Sequence, residues 1–284
     1  MKLSKIFALL LALCLISSAA CAATFTDAHG NVIELDDSLE AYAAVTLVGA
    51  DNAARQGETN LGDLWADALR WFAVSGEINA AFDEDDVKAG NDRIAVDADH
   101  VVALWNGGNL RADIAEGTFG AEALAEVLPF PNKVAVVYMT GAQLLETLEA
   151  ASQGLPYTAE TADACASLMQ VSGLTYTVDT AKAYDALEAY GDHWFTAGSV
   201  SRVRIDDVNG QPFDAEATYA VVTSNANFNG MDSSYVLKAA AEANEQSAVT
   251  TAVVRDVVFR FIAAELNHQV GEAYAAPQGR LTVL

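Results

Sequence analysis

The sequence predicts an α+β fold, with mixed β-sheets flanked by helices. Strand-like and helix-like segments follow one another along the 284 residues without the strict alternation that builds a doubly wound parallel sheet. The composition, 52% hydrophobic with four tryptophans, excludes a disordered chain and supplies enough apolar side chains for a sizeable core.

The N-terminus, residues 1–22, has the layout of a secretory signal peptide. Lys2 and Lys5 precede a short apolar run, and Ala20-Cys21-Ala22 supplies the small residues of a cleavage site. The apolar run is short for a membrane span. We therefore expect an exported protein, periplasmic or extracellular. A second interpretation stays open, in which Cys21 is acylated and the protein is a lipoprotein.

The mature chain divides into a segment of short strands at 23–44 and one domain at 45–284. Its first helix is predicted in "GETNLGDLWADALRWFAVSGE", where apolar residues recur at helical spacing. Thr59 or Asn60 can cap this helix, and Gly76 ends it. Further helices are predicted after Thr140, in "TGAQLLETLEAAS", and along the apolar stripe that ends at Leu266.

Continuous apolar runs predict strands that are buried on both faces, in "HVVALW" and "NKVAVVYM". Other β-rich runs lie between turn signals, in "AAVTLV", "LTYTVD", "SRVRIDD", "TYAVVTS" and "GRLTVL". The stretches 78–98 and 151–167 are predicted to be surface loops.

The charge balance limits the partners. The formal net charge of −24 repels nucleic-acid polymers and anionic membranes. A small anionic ligand can still bind to such a protein, but only where arginines make the local electrostatic potential positive. Cys165 is the one cysteine beyond residue 22, so no disulfide framework is expected.

Two motifs are candidates for ligand binding or catalysis. In "WNGGNLR", Gly107-Gly108 follows an apolar strand and Arg111 comes shortly after, which fits either an ordinary turn or a cradle for an anion. Asp27-Ala28-His29-Gly30 resembles the start of a metallophosphoesterase, but no later histidine stands in a matching motif. No Gly-x-Ser-x-Gly elbow occurs. We therefore predict no metal ligands and no catalytic residues.

Five stretches, taken together and in order, resemble the C-terminal domain of the 5′-nucleotidase family. They are "ARQGETNLGDLWADALRW", "WNGGNLRADIAEG", "VLPFPNKVAVVYMTGAQLLETLE", "MQVSGLTYTVD" and "YAVVTSNANFNGMD". The resemblance runs from about residue 45 to the end. It implies the mixed α+β fold of that domain.

The resemblance also implies that hydrolysis and substrate recognition belong to two different domains. In the family an N-terminal metallophosphoesterase domain holds two metals and hydrolyses the substrate, while the C-terminal domain recognises the nucleoside. Only the second part is visible here. We therefore expect a protein that binds a nucleoside or nucleotide and is not active alone. It has no cofactor of its own, and a divalent metal enters only with a separately encoded metallophosphoesterase.

Four residues of this chain match positions at which the family contacts its ligand. Arg55 resembles an arginine that reaches the ribose or phosphate, and Arg111 a second substrate-binding arginine. Asn106 resembles an asparagine near the base. Asp232 resembles a carboxylate that accepts hydrogen bonds from the ribose hydroxyls.

The base is expected between aromatic rings. Phe130 resembles one of two phenylalanines that sandwich the base, and Asn132 a base-contacting asparagine. Ala226 stands where the second phenylalanine is expected. Phe228, two residues on, would lie on the same face if this segment were a strand, and we predict that it restores the sandwich.

Two alternatives remain. One is hydrolysis of nucleotides by this chain, alone or with a separate metallophosphoesterase subunit. The other is a structural or interaction module whose pocket has decayed, which Ala226 and Met231 favour.

Overall fold

The computed structural model describes residues 40–82 and 96–284 in full, together with the backbone of two short strands before them. The predicted signal peptide, the Asp27/His29 motif and most of the acidic stretch within 78–98 lie outside the described residues.

The strands and helices follow the predicted mixed order. The strands are β1 (Ala23–Thr26), β2 (Val32–Leu35), β3 (Glu40–Ala43), β4 (Val101–Asn106), β5 (Gly117–Gly120), β6 (Lys133–Thr140), β7 (Met169–Ser172), β8 (Leu174–Val178), β9 (Ala186–Ala189), β10 (Phe195–Ala197), β11 (Val203–Val208), β12 (Thr218–Ser224), β13 (Ala248–Val253), β14 (Gln269–Val270) and β15 (Leu281–Val283). The helices are α1 (Asn60–Val74), α2 (Ala121–Val127), α3 (Gly141–Ala151), α4 (Asn225–Phe228), α5 (Tyr235–Ala243) and α6 (Val254–Ala264).

A five-stranded mixed sheet in the order β13-β6-β12-β4-β7 forms the centre of the molecule. β4 and β12 are parallel, and the other neighbours are antiparallel. Side chains alternate along β4: Val102 and Leu104 join one hydrophobic cluster, while Ala103 and Trp105 join the other. The sheet is therefore buried on both faces, as the continuous apolar runs predicted.

Helices cover both faces of this sheet. α1 and α6 pack together on one side, and α3 and α5 pack on the other. Thr59 caps α1 by accepting a hydrogen bond from the Gly62 amide at 3.0 Å, and Gly76 follows the helix with a φ of +83°. Thr140 and Gln143 form a capping box at the start of α3. Among the described helices, none has the length and apolar character needed to cross a bilayer.

Smaller sheets complete the fold. β8 lies between β11 and β15, β3 lies between β14 and β5, and β9 pairs with β10. Antiparallel pairing also joins β1 and β2.

The strand predicted in "AAVTLV" is displaced toward the N-terminus. β3 ends at Ala43, which pairs with Gly117, the first residue of β5. Beyond that point Leu47 makes a single bridge to Ile114. The strand ends where its partner begins, a limit that β-propensity alone does not reveal. β3 falls within the 23–44 segment that the sequence set apart, but it pairs with β5 and β14 of the main domain.

Candidate functional site

A cleft of about 570 Å³ opens at one end of the strands of the central sheet. β4 and β12 terminate at this end, and β6 begins there, because β6 runs antiparallel to β12. The segments that follow or precede these strands therefore converge. The cleft is lined by Arg55, Asn106, Gly108, Asn109, Arg111, Phe130, Pro131, Asn132, Ala166, Asn225, Ala226, Asn229, Gly230, Met231 and Asp232.

Six of the seven sequence-predicted ligand residues line this one cleft: Arg55, Asn106, Arg111, Phe130, Asn132 and Asp232. They come from four separate segments of the chain. Their meeting is a result of the fold and not of sequence proximity.

Phe228 is the exception, and its expected position is corrected. Residues 225–228 form the short helix α4, so the parity of a strand does not apply to them. The Phe228 side chain packs against the hydrophobic cluster that contains α3 and α5, and it does not line the cleft. Among the described lining residues, Phe130 is the only aromatic one.

The glycine pair after β4 permits close packing. A Cβ on Gly107 would lie 1.9 Å from the Ala54 carbonyl oxygen, and one on Gly108 would lie 2.7 Å from the Ala166 Cβ. Both glycines are buried, and the Gly107 amide donates to the Leu168 carbonyl at 2.7 Å. The pair therefore lets three turns approach one another beneath the cleft.

Arg55 is carried by a short turn that a buried amide side chain holds in place. Gln170 of β7 accepts from the Thr59 amide at 3.0 Å and donates to the Ala54 and Gly57 carbonyls at 3.0 and 2.9 Å. The Arg55 guanidinium donates to the Ala162 carbonyl at 2.9 Å. No sequence pattern indicated Gln170, because its partners are backbone groups more than 100 residues away.

Asp232 lines the cleft in a left-handed conformation, with a φ of +57°. Its Oδ2 accepts a hydrogen bond from Asn106 Nδ2 at 2.9 Å, and Asn106 Oδ1 in turn accepts from Asn109 Nδ2 at 2.8 Å. Burial raises the pKa of the Asp232 carboxyl above its ordinary value, while Arg55, the Asn106 hydrogen bond and Arg111 act in the opposite direction.

Arg111 lies against the aromatic wall. Its guanidinium carbon is 4.8 Å from the centroid of the Phe130 ring, within cation–π range, and its Nε donates to the Gly108 carbonyl at 3.2 Å. Phe130 is 38% exposed and Met231, also in the lining, is 60% exposed. The cleft thus combines an exposed apolar rim with two arginines and one carboxylate.

No group of three or more His, Cys, Asp or Glu side chains is arranged to hold a metal ion in the part of the chain that the structure describes.

Comparisons with known proteins identify the family. The model of the family described as "5'-nucleotidase, C-terminal domain" matches residues 40–239. Because this match covers more than half of the chain, the protein belongs to that family.

Individual relatives agree with this assignment. The trifunctional nucleotide phosphoesterase protein YfkN of Bacillus subtilis (strain 168) is 28% identical over 188 residues, which are 65% of this chain and 10% of that protein. The crystal structure of a 5′-nucleotidase precursor from Thermus thermophilus is also 28% identical, with a TM-score of 0.61 over 86% of this chain and 39% of that one.

A more distant structure shares the fold. The NAD nucleotidase of Haemophilus influenzae has a TM-score of 0.57 at 14% identity, covering 92% of this chain and 48% of that one. The present chain thus spans less than half the length of each of these relatives.

Proposed function

We propose that the cleft binds a nucleoside or nucleotide, as the substrate-recognition part of nucleotide catabolism. The observation that carries this proposal is the convergence of six family-matched residues from four chain segments on one cleft of about 570 Å³. That volume is within the range of small-molecule sites.

The chemistry of the lining suits the parts of such a ligand. The exposed Phe130 ring offers a stacking surface for a base, and Asn132 lies two residues away. Asp232 supplies acceptor oxygens for sugar hydroxyls. Arg55 and Arg111 supply permanent positive charge for a phosphate or other anionic end, in a molecule whose net charge is −24.

Hydrolysis is proposed to require a separate metallophosphoesterase that brings two divalent metals. YfkN and the Thermus protein are named as a nucleotide phosphoesterase and a 5′-nucleotidase, and both chains are much longer than this one. Phosphate release from AMP with added manganese or zinc is the decisive assay. Hydrolysis by the purified chain that disappears in His29→Ala would overturn the proposal in favour of an enzyme acting alone.

The binding test is calorimetry with AMP, adenosine and UDP-glucose. Binding of any of them supports ligand recognition. If none binds at millimolar concentration, recognition fails and a decayed interaction module is the better description.

The variant Arg111→Ala tests whether Arg111 contacts the phosphate of the ligand or its nucleoside part. We expect this variant to weaken AMP binding by about 1.5–3 kcal/mol, the range for a hydrogen bond to a charged group, and to weaken adenosine less. Arg204→Ala is the matched control, because Arg204 is an exposed arginine on β11 outside the cleft. An equal loss for AMP and adenosine would contradict a phosphate role for Arg111.

We also propose that the protein is exported after removal of residues 1–22, either free in the periplasm or medium or anchored through an acylated Cys21. This proposal rests on the signal-peptide pattern alone. Mass spectrometry of the mature protein tests it, since an N-terminus at Ala23, an acylated Cys21 and an intact Met1 have different masses.

A further inference from the structure

The hairpin formed by β9 and β10 contacts two walls of the cleft with its tip. Tyr190 Oη donates a hydrogen bond to the Gly230 carbonyl at 2.8 Å, and Gly230 lines the cleft. Trp194 Nε1 donates to the Ala164 carbonyl at 3.4 Å, in the loop that also receives the Arg55 guanidinium. The hairpin therefore connects two segments of the lining that are far apart in the chain.

The hairpin itself is fastened to the helices on one face of the central sheet. The Ala197 amide donates to Tyr235 Oη at 2.9 Å, and Tyr235 Oη donates to Glu146 Oε1 of α3 at 2.9 Å. The Tyr190 ring lies 5.6 Å from the Tyr235 ring, and the Tyr190 amide closes the hairpin by donating to the Trp194 carbonyl at 2.7 Å. The Tyr190 hydroxyl is thus presented from a fixed support.

The wall that receives Tyr190 has an unfavourable backbone conformation. Gly230 has a φ of +86° and Asp232 a φ of +57°. A left-handed conformation at a residue other than glycine persists only where the surrounding contacts hold it. Tyr190 supplies such a contact from outside the segment, whereas the Gly230 amide bonds back to the Asn227 carbonyl of α4 at 3.0 Å.

The contact between Tyr190 and Gly230 is close, and its direction is fixed. A Cβ on Gly230 would lie 2.3 Å from Tyr190 Oη, so this approach requires glycine. A carbonyl oxygen can only accept, so the hydroxyl is the donor. On the other wall, Asp163 lies 3.7 Å from His193 Nε2 and 3.9 Å from Arg55 Nη1, and such exposed contacts contribute little energy. The hold of the hairpin therefore depends most on Tyr190.

We propose that the hairpin of β9 and β10 is a brace that keeps the two walls of the cleft at a fixed separation, with Tyr190 as its positioning residue. This inference rests on the proposed ligand site in the cleft, and it adds a residue that lies outside the lining. It also makes the hairpin and the ligand thermodynamically coupled, because a contact that favours the binding-competent cleft is itself strengthened when a ligand binds.

Amide hydrogen exchange on the full chain tests the brace without a ligand. Tyr190→Phe removes the hydroxyl and keeps the ring against Tyr235. The amides of Gly230 and Met231, both hydrogen-bonded to carbonyls of α4, should exchange about three- to tenfold faster, the effect of losing one neutral hydrogen bond. The amides of the central sheet should keep their rates.

Tyr219→Phe is the matched control, because the Tyr219 hydroxyl also donates to a backbone carbonyl, that of Asp214 at 3.3 Å, but lies near the opposite end of β12. It should leave the exchange of Gly230 and Met231 unchanged. Equal exchange in Tyr190→Phe and wild type, or an acceleration spread evenly over the chain, would overturn the brace.

The coupling is tested with adenosine and AMP. Calorimetry should show both ligands binding about three- to tenfold more weakly to Tyr190→Phe. In the wild type, adenosine should slow the exchange of the amide at position 190, which does not line the cleft, and this slowing should be lost in Tyr190→Phe. A merely structural role would lower stability without linking the ligand to the hairpin.

The two sets of measurements separate this inference from the proposed function. If neither ligand binds the wild type, the proposed function fails, and the exchange comparison without ligand decides the brace. If both ligands bind wild type and Tyr190→Phe equally, the cleft binds its ligand but the hairpin does not position it, and the inference is overturned.

Discussion

At the scale of single residues, Asp63 in the first turn of α1 has an unusual environment outside the cleft. Its side chain is 0% exposed, and its Oδ1 lacks a hydrogen-bond partner among the described residues. Burial and the neighbouring Glu58 raise its pKa to about 8, while Arg280 acts in the opposite direction. The Asp63 carboxyl is therefore largely protonated at neutral pH.

This raised pKa predicts a pH-dependent stability. The folded state holds a proton on Asp63 that the unfolded state releases above a pH of about 4. The stability contribution is therefore complete below that pH and is lost progressively up to pH 8, with a slope of up to about 1.4 kcal/mol per pH unit. Asp63→Asn, which keeps a hydrogen-bond donor and carries no charge, should flatten the dependence.

Urea unfolding of both proteins between pH 5 and 9 measures the effect. The free energy of unfolding of Asp63→Asn relative to wild type should increase with pH. Asp99→Asn is the control, because Asp99 is exposed before β4. A difference between wild type and Asp63→Asn that does not change with pH would show that Asp63 is ionised throughout.

At the scale of structural elements, the site depends on how closely the turn after β4 approaches the turn Ala53–Arg55. The predicted alternatives for the glycine pair were an ordinary turn and an anion cradle. In the structure Gly107 is buried against the Ala54 carbonyl, while Gly108 lies on the cleft wall, so the pair has a packing role and both alternatives stay predictions.

Gly107→Ala should therefore damage both stability and binding. A Cβ at this position would meet the Ala54 carbonyl oxygen at 1.9 Å, so the backbone that carries Arg55 must move. We expect a loss of about 1–3 kcal/mol in the free energy of unfolding, as for other overpacked sites, together with weaker AMP binding.

Gly57→Ala is the matched control in the same segment as Arg55. A Cβ on Gly57 would meet no atom within 4 Å, and its backbone φ is not in the left-handed region. This variant should be neutral or slightly stabilising. Equal stability of the two alanine variants, measured by thermal unfolding, would contradict the close-packing role of Gly107.

At the scale of the whole molecule, the net charge of −24 is the dominant feature. Self-repulsion among these charges destabilises the folded state, and salt screens it, with a Debye length of about 10 Å at 0.1 M. Melting temperature should therefore rise as ionic strength increases from a few millimolar to about 0.3 M.

The salt series has an internal control. Sodium and potassium chloride should have the same effect if the cause is screening, while a difference between them would indicate a bound cation. In the same series the affinity for AMP should fall more than that for adenosine, because salt also screens the two arginines of the cleft. Parallel behaviour of the two ligands would argue against a charged contact.

The part of this fold that could be predicted is the part that depends on the local pattern of apolar residues. The period of the apolar residues indicated α1, β4, β6 and α6, because these segments bury one stripe or both faces. The family motifs indicated six residues that the cleft brings together. Their ligand roles remain predictions for the binding experiments.

What the sequence determined by itself was therefore the type of each strongly patterned element and, through the family motifs, a set of polar and aromatic residues worth testing. Only the tertiary structure decided that Phe228 packs against the hydrophobic core and that Asn106 donates a hydrogen bond to Asp232. It alone also placed Asp63 beside Arg280. The physical reason is that these relations depend on contacts between segments far apart in the chain, whereas propensity and periodicity report only on neighbours.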